Sequence, residues 1–347
     1  MADFQNRTRF GALLLPSADR DGLDLLVVVV AAQFQLPDPG YADSRLRLFP
    51  TQEAPGMVEE YLGEPGQSSI RRDGQSAYTK PATDIHVCGA AYAPHGRPVT
   101  RMEVSVRVGS CRVDVRVWGD RVWSRSTIGA RPSEPAAFVR MPLAWERAFG
   151  GVASSSSPQR PAYEPRNPIG CGLETDANDA IDKPVPNIED PRAPLRQPSD
   201  RPRPVGVGPI GRAWQPRVQF AGTYDEKWTR QRAPLWPADF DERFFCSAPA
   251  ELQASPHLTG GEPVLLQGLH PEGPIAFPLP ALRLASRSHF LDGAIDRPLL
   301  LDGVLIETEE RRLTMYYRAS VPAPLSLVKH RETSLHLLRG ADSGIPE

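Results

Sequence analysis

Prolines punctuate the middle of this chain, and they limit its fold more than any other feature. Between residues 154 and 209 they stand at positions 158, 161, 165, 168, 184, 186, 191, 194, 198, 202, 204 and 209. Proline lacks a backbone N–H and clashes with the preceding helical turn, so we predict no helix and no central strand here. A loop this long in a compact domain is uncommon and is usually a linker or functional. Because aromatic and turn-forming residues are interspersed, we predict an ordered, functional region.

Length, charge and cysteine spacing exclude several classes of protein. The 347 residues suffice for one large domain or two of ordinary size. A net charge of -2 gives no field that would gather nucleic acid or a membrane surface. The start of the chain has no signal-peptide pattern, and the apolar run at residues 25–32 is too short to span a membrane. We therefore predict a soluble, cytoplasmic protein.

The four cysteines and seven histidines predict no metal site and no disulfide framework. The cysteines are far apart and in no paired arrangement, which favours reduced thiols. The histidines show no metal-binding spacing. We expect no metal and no cofactor. The cysteines are Cys88, Cys111, Cys171 and Cys246.

Alternation of apolar and polar residues predicts strands on both sides of the proline-rich middle. Valines alternate over residues 104–108 and 113–117 around Gly109-Ser110, which is the strongest hairpin signal in the chain. Gly119-Asp120 predicts a further turn, so a third strand would complete a meander. Residues 10–15 and 23–36 predict a second hairpin. Further strands are predicted at residues 45–49, 85–91, 264–269, 275–279, 299–301, 304–308 and 313–319.

These strands predict a mainly β fold with antiparallel meanders or sandwich-like sheets, a few short helices and a long ordered proline-rich centre. The predicted regions are an N-terminal β region at 1–150, a proline-rich motif region at 151–250, and a C-terminal β region with a tail at 251–347. One continuous domain over residues 10–320 is the alternative.

Short helices are predicted mainly by their caps. Thr223 and Glu226 have the spacing of a capping box, so a helix should begin at Tyr224 and stop at Pro234. Asp239 is the expected N-cap of a second short helix. Residues 142–149 predict one to two helical turns, since proline fits the first position and two glycines follow. In the tail, leucines 325, 327, 335, 337 and 338 predict a docked helix.

Catalytic motifs are weak throughout. Residues 206–211 match the glycine pattern of a dinucleotide site by letter, but that site needs a strand before it and a helix after it. Prolines at 204, 209 and 216 forbid that context, so we reject it. Asp225 and Asp239 belong to an acidic cluster that could serve a hydrolase, although capping explains such residues without chemistry. We expect that the protein has no catalytic activity, and a hydrolase remains the alternative.

Several motifs occur in one order that resembles a known bacterial family. They are Lys80-Pro81-Ala82-Thr83-Asp84, PLAWERAFGG at 142–151, Asn167-Pro168-Ile169-Gly170, PNIEDP at 186–191, GTYDEKW at 222–228 and PADFD at 237–241. The family is encoded beside type VI secretion spike proteins (VgrG) and toxins with PAAR-like tips. Cys171 departs from it, standing where an arginine is usual, and so does Gly303, in place of a usual threonine.

The resemblance implies a non-catalytic adaptor or chaperone. Such a protein would bind a PAAR-like effector in the cytoplasm and assist its loading onto the VgrG spike, through loops at residues 167–170, 187–190 and 222–228. A structural component of the secretion apparatus is a further alternative. The candidate partner-binding residues are Arg147, Asn167, Pro168, Gly170, Asn187, Glu189, Asp190, Thr223, Tyr224, Asp225 and Trp228.

Overall fold

The prediction of a mainly β fold is confirmed. The computed structural model describes residues 3–40, 46–127, 129–153, 162–323 and 327–338, and most of the regular structure in them is strand. The sheets are mostly antiparallel. Two short α-helices, Ala177–Ala180 and Glu226–Gln231, lie between them. None of the helices in these ranges is long and apolar enough to cross a membrane.

A seven-stranded central sheet brings together residues from both ends of the sequence. In spatial order its strands are Gln253–Ala254, Thr83–Cys88, Leu300–Glu307, Arg312–Pro322, Asp24–Gln35 and Gly11–Ala18, with Arg47–Leu48 paired to Asp24–Gln35. The strand Asp24–Gln35 contains a run of β-branched valines and is buried on both faces, as its unbroken apolar run requires. It pairs with Gly11–Ala18, which confirms the predicted second hairpin.

A five-stranded sheet contains the hairpin that the valine alternation predicts. Its order is Ile188–Glu189, Cys111–Trp118, Arg101–Val108, Pro263–Gln267 and Ile275–Pro278. Gly109 turns the hairpin with φ 56°, a conformation that glycine adopts without strain. The valines face the core, and the opposite face carries charged side chains. That outer face becomes one side of the candidate site.

The predicted meander is wrong at its third strand. Arg121–Ser126 leaves the hairpin and pairs with Gly129–Pro132 and Pro184–Val185. Ile188–Glu189 takes the place beside Cys111–Trp118 instead. The alternation of apolar and polar residues shows which face of a strand is buried, but it does not show which strand pairs with it. Here Trp123 is buried in a small second core, away from the main one.

The C-terminal residues form a strand, not the predicted docked helix. His330–Leu337 lies in a four-stranded sheet between Asp3–Asn6 and Leu284–Phe290, with Gly293–Pro298 at the far edge. Leu335 is buried in the main core there. Leucine 325 and residues 339–347 lie outside the described residues.

Smaller elements complete the fold. Two-stranded ladders join Arg140–Pro142 to Ala90–Tyr92, Phe149–Gly150 to Cys171–Gly172, and Glu60–Tyr61 to Ile70–Arg72. The 3₁₀ helices are Pro94–Gly96, Trp145–Arg147, Arg217–Phe220, Glu242–Phe245, Ala250–Leu252 and Leu327–Lys329.

The prolines are less restrictive than predicted. Helix Ala177–Ala180 fits between prolines, capped by Asp176, and Ile188–Glu189 forms a two-residue strand against the hairpin. Such short elements need few consecutive backbone N–H groups, so they fit between prolines without needing the missing donors. The predicted helix at residues 142–149 is reduced to the single 3₁₀ turn Trp145–Arg147.

Truncating Phe34 should destabilise the fold strongly. This side chain is fully buried in the strand Asp24–Gln35 and belongs to the main core. Phe34→Ala should lower the free energy of unfolding by about 3–5 kcal/mol, because it removes apolar contacts and leaves a cavity. Urea titration followed by tryptophan fluorescence measures this. Val58→Ala, at a side chain that is 74% exposed, should change it by less than about 0.5 kcal/mol.

Candidate functional site

A groove of about 820 Å³ lies between the outer face of the hairpin and the proline-rich middle. Trp145, Val205 and Ile210 form an apolar floor. Its walls include prolines 165, 191, 204, 216 and 249. Its rim carries Arg112, Arg166, Arg192, Arg203, Glu103, Asp114 and Glu251. This volume lies in the range of ligand pockets, and the mixed surface suits a partly apolar, partly charged ligand.

Two perpendicular tryptophans support the floor. The rings of Trp145 and Trp214 meet edge to face at 6.0 Å, and the Trp145 indole N–H donates to the carbonyl of Pro209 at 2.9 Å. A Cβ at Gly206 would lie 2.9 Å from the Trp145 ring. A Cβ at Gly211 would lie 2.8 Å from the Trp214 indole nitrogen. These glycines therefore permit ring packing, and residues 190–205, directly before them, contain no strand.

Asn167 fastens one wall of the groove from inside the protein. Its amide donates to the carbonyls of Trp145 at 2.8 Å and Phe149 at 3.0 Å, and the residue has no exposed surface. A Cβ at Gly170 would lie 2.4 Å from that amide nitrogen. Pro168, between them, is half-buried. The Asn167–Gly170 motif thus clamps the loop that supplies Pro165 and Arg166, and Asn167 serves the fold.

Asn187 joins the opposite wall to the hairpin. Its amide donates to the carbonyl of Trp118 at 3.2 Å and to Asp120 at 3.0 Å, and its carbonyl oxygen accepts from Arg147 at 3.0 Å. The Arg147 guanidinium also lies 3.3 Å from Asp120. Asn187 is buried, whereas Arg147 is partly exposed at the edge of this network.

Glu189 and Asp190 extend the same wall to the rim. Glu189 is buried, accepts from Arg121 at 2.6 Å and accepts the indole N–H of Trp118 at 3.0 Å. The Arg121 guanidinium stacks 4.5 Å over the Trp118 ring. Asp190 accepts two hydrogen bonds from the Arg192 guanidinium at 3.0 Å, which lower the pKa of its carboxyl. The buried contacts of Glu189 thus fix the segment that carries Arg192 at the groove.

The rim arginines were not among the predicted site residues. Arg166 pairs with Glu164 at 2.6 Å and Arg112 with Asp114 at 2.8 Å, while Arg203 pairs with Glu251. The sequence does carry a signal for three of them. Each adjoins a proline, in Pro165-Arg166, Pro191-Arg192 and Arg203-Pro204. Pro-Arg neighbours in an ordered loop present a guanidinium from a backbone whose φ is fixed.

The second exposed feature is the helical loop, residues 222–235. Its caps differ from the prediction. Asp225, not Thr223, is the N-cap of Glu226–Gln231 and accepts the Trp228 backbone N–H at 2.7 Å. Thr223 instead donates its backbone N–H and its hydroxyl to Asp239, at 3.0 and 2.7 Å.

Asp239 is therefore not the second N-cap, and Asp241 caps Glu242–Phe245. The Asp239 carboxylate lies against Thr223, so it is not available to the turn that follows it. Two aspartates in sequence, Asp239 and Asp241, offer the same capping chemistry, and tertiary contacts decide between them.

The helical loop is held at both ends and exposed between them. Arg232 donates to the carbonyl of Trp236 at 2.6 Å and to Asp21 at 2.7 Å. The second contact joins the loop to the turn between the strands Gly11–Ala18 and Asp24–Gln35. The Trp228 indole N–H donates to the carbonyl of Leu235 at 2.9 Å. Tyr224 packs edge-on against Trp228 at 4.7 Å and remains 52% exposed. The loop thus presents a supported aromatic side chain.

Local hydrogen bonds already engage both carboxylates of the acidic cluster. Asp225 caps a helix, and hydrogen bonds from Thr223 lower the pKa of Asp239. A general acid needs the opposite shift. At the groove, burial would raise the pKa of Asp114, but the neighbouring Ser105 and the guanidinium of Arg112, which donates at 3.0 Å, outweigh it and lower the pKa.

Three of the cysteines are held as thiols by burial. Burial raises the pKa of Cys88 and Cys171 to about 11 and of Cys246 to about 12, so these thiols stay protonated at neutral pH. Nowhere in the described ranges do three or more His, Cys, Asp or Glu side chains gather as metal ligands.

A buried ionic network connects the groove to the central sheet. The Lys80 ammonium lies 2.9 Å from Asp84 and 3.3 Å from Asp73. Asp84 also accepts the backbone N–H groups of Ser247 at 2.9 Å and Ala248 at 3.1 Å. Residues 249–251 follow directly and line the groove. The Lys80–Asp84 motif therefore positions this wall.

The charges in this network shift one another's pKa values. Burial alone would lower the pKa of Lys80, but Asp84 and Asp73 outweigh it and raise the pKa. Burial alone would raise the pKa of Asp73, but Lys80 and Arg217 outweigh it and lower the pKa. Burial lowers the pKa of His86, whose Nε2 lies 3.2 Å from the Ser247 hydroxyl. The network is ionised around a neutral histidine.

The fold and these features define a class: a mainly β protein with an open groove and an exposed helical loop. A family model described as uncharacterized protein conserved in bacteria (DUF2169) matches residues 21–318. The chain belongs to this bacterial family. No curated protein and no solved structure matches it.

Replacing Asn167 with its isostere should test its role in the fold. Asn167→Asp removes both amide donors and places a buried charge against two carbonyl oxygens. We expect the free energy of unfolding to fall by more than about 2 kcal/mol, because two buried hydrogen bonds are lost and a charge is left unpaired. Urea titration at neutral pH measures this. Unchanged stability would contradict the structural role.

His86 should make the stability depend on pH. Its pKa in the folded protein is lowered from 6.5, so below that value the unfolded chain binds a proton that the folded chain does not. His86 should therefore lower the free energy of unfolding as the pH drops below 6.5, by at most about 1.4 kcal/mol per pH unit.

His86→Gln should flatten this dependence in urea titrations between about pH 7.5 and pH 5. Burial also lowers the pKa of His330, and that contribution remains in both proteins. Equal slopes for the two proteins would show that His86 contributes nothing.

Proposed function

We propose that this protein is a non-catalytic adaptor or chaperone that binds a PAAR-like type VI secretion effector in the cytoplasm. It assists the loading of that effector onto the VgrG spike. The helical loop carries the proposal, because it presents Tyr224 on a support that is fixed before any partner arrives. Tyrosine and tryptophan are common anchors of protein interfaces.

Preorganisation of the loop favours binding. Association costs free energy for each side chain and loop that must be ordered at the interface. Here Arg232 and the Thr223–Asp239 pair already fix the loop to the body of the protein, and Trp228 bonds to Leu235 within the loop. A partner that covers Tyr224 therefore gains apolar contact without having to order this backbone.

The family motifs also support the proposal. The segments that carry the resemblance build the groove walls, the helical loop and the network that positions them. Several of their side chains are buried, namely Asn167, Asn187 and Glu189, so they support the surface without forming it. A hydrolase gains no support from the lowered pKa of Asp239.

The test is co-purification with the PAAR-like protein encoded nearby. Tagged wild-type protein should capture it, and Tyr224→Ala should weaken capture about thirtyfold, because an anchor of this kind contributes about 2 kcal/mol. Tyr163→Ala is the matched control, since Tyr163 is 53% exposed and lies outside the helical loop. Trp228→Ala should weaken capture as well, because its indole braces the loop.

Other outcomes would favour the alternatives. Capture of sheath or baseplate proteins without the effector would indicate a structural component of the secretion apparatus. Turnover of a small compound that depends on Asp225 or Asp239 would indicate a hydrolase. Equal capture by wild type, Tyr224→Ala and Tyr163→Ala would remove the helical loop from the interface.

A further inference from the structure

We propose that the groove binds a short acidic segment of a partner polypeptide, in which carboxylates lie beside apolar side chains. The inference rests on the adaptor function only in assigning that segment to the effector. It concerns a surface separate from the helical loop, since the residues that line the groove include none of residues 222–235.

The charges at the groove rim are complementary to carboxylates. Four arginines line the groove against three carboxylates, those of Glu103, Asp114 and Glu251. Two of the arginines, Arg166 and Arg192, pair with Glu164 and Asp190. These two carboxylates do not line the groove. The lining surface therefore has one more guanidinium group than carboxylates.

The guanidinium groups also have unused hydrogen-bonding capacity. Among the described residues, Arg112 uses its Nε for Asp114, and Arg192 uses its Nε and Nη2 for Asp190. Each retains at least one terminal N–H group for an added carboxylate. Exposed ion pairs of this kind contribute little, so a partner carboxylate can compete with the internal one.

The floor selects for apolar side chains beside those carboxylates. Val205, Ile210 and Trp145 lie beneath the rim, and the surrounding prolines offer no backbone N–H donors. A partner segment is therefore held by side-chain packing and by the arginines. It is not held by adding a strand to a sheet.

A nucleic acid fits this surface less well. Its phosphates form a uniform negative array, and Glu103, Asp114 and Glu251 would repel part of it. The net charge of -2 adds no attraction at long range. A peptide can instead place its carboxylates at the arginines and its apolar side chains over the floor.

The test uses a fluorescein-labelled peptide of repeated Glu-Leu-Pro units, followed by fluorescence anisotropy. It should bind wild-type protein, bind less tightly as salt is added, and bind better than a Lys-Leu-Pro peptide. Arg192→Glu and Arg112→Glu should each weaken binding by about tenfold. The first side chain is 81% exposed and the second 52%, so neither reversal disturbs the core.

Arg287→Glu is the matched control. Arg287 is 52% exposed, lies on a strand and pairs with Asp296 at 3.5 Å, but it does not line the groove. Its reversal should leave peptide binding unchanged. Equal binding by wild type, Arg192→Glu and Arg112→Glu would overturn the inference. Tighter binding of oligothymidylate than of the acidic peptide would overturn it too.

Effector capture separates this inference from the adaptor proposal. If wild type captures the effector and Tyr224→Ala does not, while the peptide fails to bind, the adaptor stands and the groove inference falls. If the peptide binds and Arg192→Glu weakens that binding about tenfold, but no effector is captured, the groove inference stands and the adaptor falls.

Discussion

The structure depends on the buried contact between Lys80 and two carboxylates, Asp84 and Asp73. Removing three charges from water is costly, and the cost is offset only when each finds close partners of opposite sign and further hydrogen bonds. Asp84 has those bonds from the backbone at Ser247 and Ala248. One ionic contact thus fixes a central strand, a loop and a groove wall relative to one another.

The groove and the helical loop are kept in place by different kinds of contact. The floor of the groove is supported by two packed tryptophans, and its walls are held by buried amides and ion pairs from distant parts of the chain. The helical loop is a single segment, fastened at its two ends by Arg232 and by the Thr223–Asp239 pair. Both surfaces are therefore ordered even though little regular structure supports them.

The sequence predicted the fold better than the site. Valine alternation around Gly109 and the buried run at residues 24–36 specify strands, because each pattern reports a local periodicity. The pairing of Ile188–Glu189 with the hairpin depends on residues about seventy positions away. The choice of Asp225 over Thr223 as a cap depends on Asp239. Motif recognition could not tell that Asn167 is buried while Arg192 is exposed.

The central sheet also constrains how this chain is made. Asp24–Gln35 pairs with Arg312–Pro322, so this strand gains its second neighbour only after the intervening residues 36–311 have been synthesised. Pairings between residues so far apart in sequence form slowly. Until then one edge of this apolar strand stays unpaired, and an unpaired strand edge exposes a nascent chain to aggregation.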